Sequence, residues 1–199
     1  MALSLFGKDS AQEARNALVE ILKSNAEGIV LDLRNNPGGF LPASREIAGL
    51  FLSGKQVLYH SIDRTGAAKD FESTGVALIS TPLVIIVNGA TTSAAEMLAA
   101  ALQDNHRAML IGSQTSGQAL IHSVQPLSDA SAVVIAIARF TTPAGKDVLH
   151  RGITPDVAVS SSEMKMNDPR GSASAPNRQY REAVGLLITE VTRSHKQGR

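Results

Sequence analysis

Apolar and polar positions along this chain follow two periods, one typical of strands and one typical of helices. Short apolar runs rich in β-branched residues predict buried strands, and apolar residues three or four positions apart predict helices. The segment 56–63 alternates apolar and polar residues, so we expect it to be an exposed or edge strand. The pattern as a whole predicts strands at 28–33, 56–63, 83–87, 109–112, 118–126 and 132–140, and helices that begin at Ser10, Pro42 and Ala94. Strands that alternate with helices in this way are typical of an α/β fold.

The two ends of the chain differ from this repeating core. Residues 2–6 predict a truncated first strand, and residues 1–160 predict one α/β domain. The segment 161–177 is rich in Ser, Ala and Pro and predicts a polar linker. Residues 178–199 predict an amphipathic helix followed by a basic tail. Because that helix could pack on the core or on a second subunit, the sequence fits both a monomer and a homo-oligomer.

The composition narrows the classes of function. The chain has 199 residues, of which 43% are apolar, and a formal net charge of +1. That length is sufficient for a sizeable core, and the balanced charge gives no reason to expect nucleic-acid binding. No apolar run approaches the length of a membrane span. There is no cysteine, and the five histidines show no metal-ligand spacing, so we expect neither a disulfide, a metal nor a cofactor.

A serine stands at the turn between the apolar strand 83–87 and the helix that begins at Ala94. At a helix N-terminus, free backbone N–H groups and the helix dipole favour a developing negative charge. Hydrolases with a serine nucleophile use this strand–turn–helix geometry. Serine is also a common N-cap residue. Position alone therefore allows Ser93 to be either a nucleophile or a helix cap.

A glycine-rich turn follows the predicted strand at 28–33. Its sequence is Asn-Asn-Pro-Gly-Gly, which ends at Gly38 and Gly39. Paired glycines allow backbone N–H groups to face a ligand without an intervening Cβ. A glycine turn and a serine turn at neighbouring strand ends would supply an oxyanion hole and a nucleophile. Taken alone, Asn-Pro-Gly-Gly is an ordinary turn sequence.

Six short motifs, including the serine and glycine turns, follow one another along the chain. They are LDLRNNPGG (31–39), VNG (87–89) with SAAE (93–96), ALQD (101–104), QPLSD (125–129), ARFTTPAG (138–145) and GITPD (152–156). In this order they resemble the motifs of the tail-specific, or C-terminal processing, serine peptidases. The resemblance covers residues 3 to 160. It implies an α/β fold with a crotonase- or Clp-protease-like core of strand–helix units, followed here by the C-terminal helix.

The resemblance also implies roles for individual residues. Ser93 matches the nucleophile, and the backbone N–H groups of Gly39 and Ala94 match the oxyanion hole. The family's general base is a lysine in a Thr-x-Gly-Lys motif, supported by a glutamine four residues later. In this chain Gln118 stands at the lysine position and His122 at the glutamine position. A neutral amide cannot accept the serine proton, so the usual Ser–Lys pair is absent and the mechanism needs another base.

Strand alternation offers His122 as that base. If residues 118–126 form a strand, Gln118, Leu120 and His122 point to one face. Histidine titrates near neutral pH and is a frequent general base beside a serine. We therefore expect His122 to act on Ser93 directly or through a water held by Gln118. The alternative is a structural histidine that passively replaces the family's glutamine.

Two further residues are candidates for supporting roles. Glu96 lies three residues after Ser93 on the same helical face, where it would orient a polar partner. Its alternative role is a solvated or capping carboxylate at the helix N-terminus. Gly38 precedes the oxyanion glycine and would support the shape of that turn.

Members of the family usually carry an export signal and a PDZ domain ahead of the catalytic core. This chain opens within the first strand of the core and shows neither feature. We expect either a minimal core or part of a longer protein. The resemblance points to a periplasmic or other exported location for the family, and the location of this chain stays open.

Three functions fit these observations. The first is a serine peptidase that acts on extended peptides laid beside a sheet edge. The second is a serine carboxylesterase on the same core, which the missing lysine favours because an ester has the better leaving group. The third is a catalytically silent peptide-binding protein. The expected partner is thus an extended peptide or a small acyl ester, with no nucleic acid and no membrane span.

Overall fold

The computed structural model describes residues 1–160 and 178–197. The predicted linker at 161–177 and the last two residues of the predicted tail lie outside the described residues. Four helices and two four-stranded sheets make up the described part. The helices are α1 (Ser10–Lys23), α2 (Leu41–Gly49), α3 (Ala94–Asp104) and α4 (Arg178–Gln197). The strands are β1 (Ile29–Asp32), β2 (Val57–Asp63), β3 (Ala68–Glu72), β4 (Leu83–Val87), β5 (Met109–Gly112), β6 (Leu120–Pro126), β7 (Ala132–Thr141) and β8 (Val157–Ala158).

The first sheet is parallel, with the strand order β1-β4-β5-β8. Its strand β4 has the bounds that the apolar pattern predicts, and all five of its residues are buried. Ile85 joins the main core, to which α1, α2 and α3 contribute, whereas Val84 and Ile86 join a second cluster under α4. A strand covered on both faces is apolar throughout rather than alternating. This explains why the apolar run in the sequence predicted the first and last residues of β4 correctly.

Helix α4 packs on the parallel sheet of its own chain. Ala183 is fully buried against Val84 and Ile86. The side chain of Gln179 is also buried, and it donates a hydrogen bond of 2.9 Å to the carbonyl of Val159. The sequence alone left open whether this helix packs on the core or on a second subunit. The structure places it on the core. The helix continues to Gln197, so most of the predicted basic tail is helical.

The second sheet is antiparallel, with the strand order β3-β2-β7-β6. The expectation that 56–63 is an exposed or edge strand is wrong. Strand β2 lies between β3 and β7, and its residues Leu58 and Tyr59 are buried. The sequence pattern missed β3, whose residues Ala-Lys-Asp-Phe-Glu are mainly polar and exposed, and β3 takes the edge position instead. It also missed β8, which contains only two residues.

The N-terminal segment runs beside β1 and then beside the glycine turn. Instead of a continuous first strand at 2–6, the structure has two isolated parallel bridges, Ala2 with Asp32 and Phe6 with Gly39. The Phe6 amide donates to the Gly38 carbonyl at 2.9 Å. The Phe6 carbonyl accepts from the Phe40 amide at 2.7 Å. These bonds hold the glycine turn from its outer side.

Strands β6 and β7 form a hairpin whose outer half is exposed. The first six residues of β7 are all exposed, although all six are apolar. Ser123 pairs with Ile135, and Val124 pairs with Val134, so apolar side chains lie on both faces of the hairpin. Strand β6 is the sheet edge. Its outward N–H and C=O groups are therefore available to another extended chain.

Candidate active site

Ser93 lies at the N-cap of α3, at the end of the turn that follows β4. Its backbone has φ 53° and ψ −119°, a conformation that non-glycine residues rarely adopt. Such strain persists only where the surrounding structure enforces it, and it clusters at functional sites. The side chain is half-buried, whereas α3 is buried from Ala94 to Leu102. Ser93 is thus the N-cap residue of α3, and it also lies in a strained turn between a strand and a helix. Both roles that the sequence allows, helix cap and nucleophile, are compatible with this position.

The glycine turn lies directly against the serine turn. Strands β1 and β4 are parallel neighbours, so the turns at their carboxyl ends meet at the same edge of the sheet. The Thr92 amide donates to the Asn36 carbonyl at 3.0 Å, and the Thr92 hydroxyl donates to the Pro37 carbonyl at 2.8 Å. A Cβ added to Gly38 would lie 2.8 Å from the Cβ of Ser93. Only glycine allows the two turns to approach this closely.

Gly39 is held in a left-handed conformation with φ 125°. A Cβ at this position would lie 2.3 Å from the Phe6 carbonyl oxygen, which no side chain tolerates. Among the hydrogen bonds of the described residues, the amides of Gly39 and Ala94 donate to no protein acceptor. Both amides are thus available to a ligand, as an oxyanion hole requires.

Asn36 organises the glycine turn, and sequence reasoning missed it. Its side chain is fully buried. It accepts a hydrogen bond from the Gly38 amide at 2.8 Å and donates to the Leu3 carbonyl at 2.8 Å. Asparagine commonly bonds the backbone two residues later in a turn. The Asn-Pro-Gly-Gly sequence therefore carried a signal for this role.

Glu96 is a fully buried carboxylate that binds four hydrogen-bond donors. Its Oε2 accepts from the amides of Ser93 (2.9 Å) and Gln118 (2.8 Å), and its Oε1 accepts from the amide of Gly117 (2.7 Å) and the Thr115 hydroxyl. Hydrogen bonds of this kind to an ionised group are the stronger ones. The solvated alternative for Glu96 is therefore wrong. The carboxylate caps α3 and also ties it to the segment 115–118.

Gln118 lies beside the serine turn. Because the amides of Ser93 and Gln118 both donate to Oε2 of Glu96, their two nitrogens lie within about 6 Å of each other. The Gln118 residue is exposed, and the next strand, β6, begins two residues later. The structure thus brings Gln118, which the resemblance matches to the family's lysine, close to Ser93.

His122 lies farther along β6. Gln118, Leu120 and His122 are all exposed, whereas Ala119 is buried and Ile121 is half-buried, so the predicted alternation holds. Four residues of extended chain span about 13 Å, which separates the backbone of His122 from that of Gln118. Within the described residues, no hydrogen bond joins His122 to Ser93 or Gln118. Its role as the base stays a prediction.

The described part of the chain contains no cluster of His, Asp and Glu side chains arranged to hold a metal ion. His60 instead has a structural role, because its Nδ1 lies 2.7 Å from Asp70 Oδ1 and its Nε2 lies 3.1 Å from the Pro143 carbonyl oxygen. The hydrogen bond to Asp70 and that to Pro143 raise the pKa of His60. None of the helices in the described ranges has the length and apolar character that crossing a membrane requires.

Known proteins have similar sequences over most of the length of this chain. The chain is 39% identical over 194 residues to the carboxyl-terminal-processing protease of Synechocystis sp., and the match covers 98% of this chain and 44% of that protein. It is 38% identical over 160 residues to the chloroplastic carboxyl-terminal-processing peptidase 3 of Arabidopsis thaliana, which covers 80% of this chain and 31% of that protein. The chain thus spans less than half the length of these curated relatives.

Solved structures share the fold. The photosystem II D1 C-terminal processing protease is 38% identical with a TM-score of 0.73, over 80% of this chain and 41% of that chain. A lipoprotein from Streptococcus agalactiae is only 20% identical, yet it has a TM-score of 0.71 over 95% of this chain and 64% of that chain. The α/β core with a C-terminal helix that the sequence predicts is confirmed. The profile of peptidase family S41 matches residues 1–159. With both turns and six motifs in place, the chain belongs to peptidase family S41.

Proposed function

We propose that this chain is the catalytic core of a serine peptidase, in which Ser93 attacks the carbonyl carbon of a peptide bond. The observation that carries this proposal is the strained Ser93 turn packed against a glycine turn, with two backbone amides that have no acceptor among the described residues. The printed names of the relatives, which are C-terminal processing proteases and peptidases, support a peptide substrate.

The first chemical step forms a tetrahedral intermediate. Ser93 Oγ bonds to the carbonyl carbon as a base removes its proton, and the carbonyl oxygen becomes an oxyanion. The amides of Gly39 and Ala94 donate to this oxyanion, a contribution that is typically worth about 3 kcal/mol for one donor. The C–N bond then breaks, the amine leaves with the proton from the base, and water hydrolyses the acyl ester on Ser93.

The base in this proposal is His122, acting directly or through a water that Gln118 holds. Gln118 has no titratable group, and its amide nitrogen lies close to that of Ser93. His122 is exposed on the same side of the chain as Gln118. An imidazole there would accept the proton that the family's lysine accepts elsewhere.

Glu96 fixes the position of the serine turn relative to the segment 117–118. It binds the amide of Ser93 on one side and those of Gly117 and Gln118 on the other. In this role Glu96 is a positioning residue, because it acts through backbone groups rather than on the substrate. Gly38 has a similar role, since it permits the glycine turn to pack against Ser93.

The proposed substrate is an extended peptide that lies beside β6. This strand is a sheet edge, and it begins two residues after Gln118. Its exposed residues Leu120 and Val124 provide apolar contacts for alternate side chains of an added strand. Backbone pairing to such an edge accommodates many sequences, as a processing peptidase requires.

A serine carboxylesterase on the same core is the second candidate. The observation that favours it is Gln118, because the position that holds lysine in the family carries no proton acceptor here. Ester hydrolysis needs less help from a base and an acid, since an alkoxide leaves without a proton far more readily than an amide anion does. The acyl-enzyme on Ser93 would be common to both reactions.

A fluorophosphonate probe, a p-nitrophenyl ester and an internally quenched peptide together test these functions. We expect the unmodified chain to be labelled on Ser93 and to hydrolyse the peptide. Ser93→Ala should abolish labelling and reduce hydrolysis at least 1,000-fold, while the exposed Ser80→Ala serves as the matched control. Ester hydrolysis without peptide hydrolysis would favour the esterase. Peptide binding without labelling or turnover would favour the silent binding protein.

A further inference from the structure

Two cations and two aromatic rings from α2, β2 and β3 form a cluster. The guanidinium carbon of Arg45 is 4.8 Å from the centroid of the Phe71 ring, and the Lys69 ammonium is 5.1 Å from the same centroid. The two positive charges therefore lie within about 10 Å of each other. The ring of Tyr59 stacks on Phe71 at 4.6 Å with an interplanar angle of 12°. This group of Arg45, Lys69, Phe71 and Tyr59 is called the cationic cluster below.

The cationic cluster has no counter-ion in the described part of the chain. No carboxylate there forms an ion pair with Arg45 or Lys69. The Nε of Arg45 is buried and has no hydrogen-bond partner. A buried donor without a partner is costly and demands an explanation. A carboxylate bound to the other guanidinium nitrogens of Arg45 would offset that cost.

Arg107 shows how this protein satisfies a comparable arginine. Its guanidinium carbon lies 5.8 Å from the centroid of the Phe51 ring, much as Arg45 lies over Phe71. Its Nε donates to the Phe51 carbonyl at 2.9 Å, and its Nη2 donates to the Thr81 carbonyl at 2.8 Å. Stacking on an aromatic ring thus leaves room for hydrogen bonds to protein carbonyls. The unpartnered Nε of Arg45 is a difference from Arg107, not a consequence of stacking.

The cationic cluster lies close to the proposed oxyanion hole along the chain. Helix α2 begins at Leu41, two residues after Gly39, and Arg45 follows one turn later. At 1.5 Å per helical residue, Arg45 lies about 8 Å along the helix axis from Phe40. An extended peptide covers that distance with two or three residues. Along the helix axis, the cluster is therefore only a few residues of extended chain away from the glycine turn.

We propose that the cationic cluster is a carboxylate-binding subsite for the substrate, an inference that rests on the proposed peptidase function. The planar guanidinium of Arg45 matches the two oxygens of a carboxylate. The Lys69 ammonium adds a second positive charge near the same ring. The carboxylate comes either from the free C-terminus of the peptide or from an acidic side chain near the cleaved bond.

Nuclear magnetic resonance of the Arg Nε–H groups tests this subsite without turnover. The protein used is Ser93→Ala, and the probes are acetyl-tetra-alanine, its C-terminal amide, and the amide with one Ala replaced by Glu. We expect the Arg45 Nε–H signal to shift with the first probe, the third or both, but not with the uncharged amide. The Arg107 Nε–H signal is the internal control, because its donors are already bonded. Arg45→Met assigns the signal.

Affinity and turnover give a second readout. We expect a carboxylate to increase affinity about tenfold over the uncharged amide. Lys69→Met should lose most of that preference, whereas Lys55→Met, which removes the same charge at another exposed position, should retain it. Because Lys69 is exposed, this variant should fold normally. The preference should also decrease as salt is added.

The outcomes separate the two proposals. Equal binding of charged and uncharged peptides, with no shift at Arg45, would overturn the subsite. If such a protein still hydrolyses peptides and reacts with the fluorophosphonate probe, the peptidase function stands alone. A shift at Arg45 with carboxylate peptides, together with no labelling of Ser93 in the unmodified chain, would retain the subsite and overturn the peptidase function.

Discussion

The two sheets of this protein bury their strands to very different extents. In the parallel sheet, all five residues of β4 are buried, and helices cover both faces. In the antiparallel sheet, the outer half of the β6–β7 hairpin is exposed on both faces, and the edge strand β6 pairs only with β7. The proposed nucleophile and oxyanion hole belong to the first environment, and the proposed base belongs to the second.

The two sheets meet different requirements of the proposed site. The parallel sheet provides rigid geometry, and the antiparallel sheet provides access for a substrate. In the proposed mechanism charge develops on the oxyanion, so the amides of Gly39 and Ala94 would need a rigid frame. The packed ends of β1 and β4 provide that frame. The proposed substrate needs access to Ser93, and β6 is an open sheet edge that begins two residues after Gln118. Glu96 joins the two environments, because it bonds the amides of Ser93 and Gln118 at once.

Glu96→Ala should have the largest effect, since it breaks the link between the two sheets. Removing this carboxylate leaves three backbone amides and the Thr115 hydroxyl without their acceptor in a buried place. We expect the free energy of unfolding to decrease by about 4 kcal/mol and hydrolysis to decrease at least 1,000-fold. Denaturant unfolding and ester turnover measure the two effects.

The matched control for this change is Glu46→Ala, which removes an exposed carboxylate from α2. It should change stability by less than about 0.5 kcal/mol. If Glu96→Ala unfolds and turns over substrate as readily as Glu46→Ala does, Glu96 is not the link that the hydrogen bonds indicate.

His122→Ala tests whether the exposed sheet supplies the base. General bases contribute roughly 10²- to 10⁴-fold to rate, so we expect a loss in that range with little change in stability, because His122 is exposed. Activity of the unmodified chain should be greater at neutral than at acidic pH, because only a neutral imidazole can accept the Ser93 proton. The variant should lack that difference.

A pH profile that is the same in His122→Ala and the unmodified chain would remove His122 from the mechanism. Gln118→Lys is the complementary change, because it restores the family's residue at the position beside Ser93. We expect it to increase peptide hydrolysis in the His122→Ala background. Steady-state kinetics on one peptide and one ester give both comparisons.

Gly39→Val tests the rigidity of the parallel-sheet edge. The new Cβ would meet the Phe6 carbonyl oxygen at 2.3 Å, so the turn must move and carry the Gly39 amide away from the oxyanion. The rate should decrease roughly 100-fold, in line with the loss of one oxyanion donor at about 3 kcal/mol. Gly66→Val is the control for backbone strain alone, since Gly66 has φ 87° but no neighbour within 4 Å of an added Cβ. A Gly39→Val enzyme with unchanged kcat would show that this amide is not used.

His60→Gln should have the smallest effect, and it tests the inner part of the antiparallel sheet. The pKa of His60 is raised, chiefly by its hydrogen bond to Asp70 and also by that to the Pro143 carbonyl. A raised folded-state pKa stabilises the protein below the unfolded value of about 6.5, and this contribution is lost as pH rises through the folded-state pKa. Because Asp70 is exposed, we expect less than about 1 kcal/mol.

Thermal or denaturant unfolding of His60→Gln at pH 6 and pH 9 measures this contribution. The difference from the unmodified chain should be greater at pH 6. Asp70→Asn should reproduce the same pH dependence, since it removes the main partner. A difference that is constant between pH 6 and pH 9 would show that His60 contributes only by packing.

Much of the fold was predictable because it rests on local signals. Strand β4 is a fully apolar run, and α1 begins at Ser10 as its periodicity indicates. Strand β3 was not predictable, because Ala-Lys-Asp-Phe-Glu has neither an apolar run nor a strict alternation. Missing β3 also led to the wrong position for β2, since a strand is interior only if a partner exists on each side. The same limit applies to the cationic cluster, whose Arg45 and Lys69 are far apart in sequence.

The sequence by itself determined the strand–turn–helix at Ser93, the glycine turn that ends at Gly39, and the amide at the family's lysine position. These features depend on residue type and on the backbone conformations of a few neighbouring residues. Only the tertiary structure decided that Glu96 is buried among four donors and that α4 covers the parallel sheet. Those outcomes depend on hydrogen bonds and packing between segments distant in sequence, which no local pattern encodes.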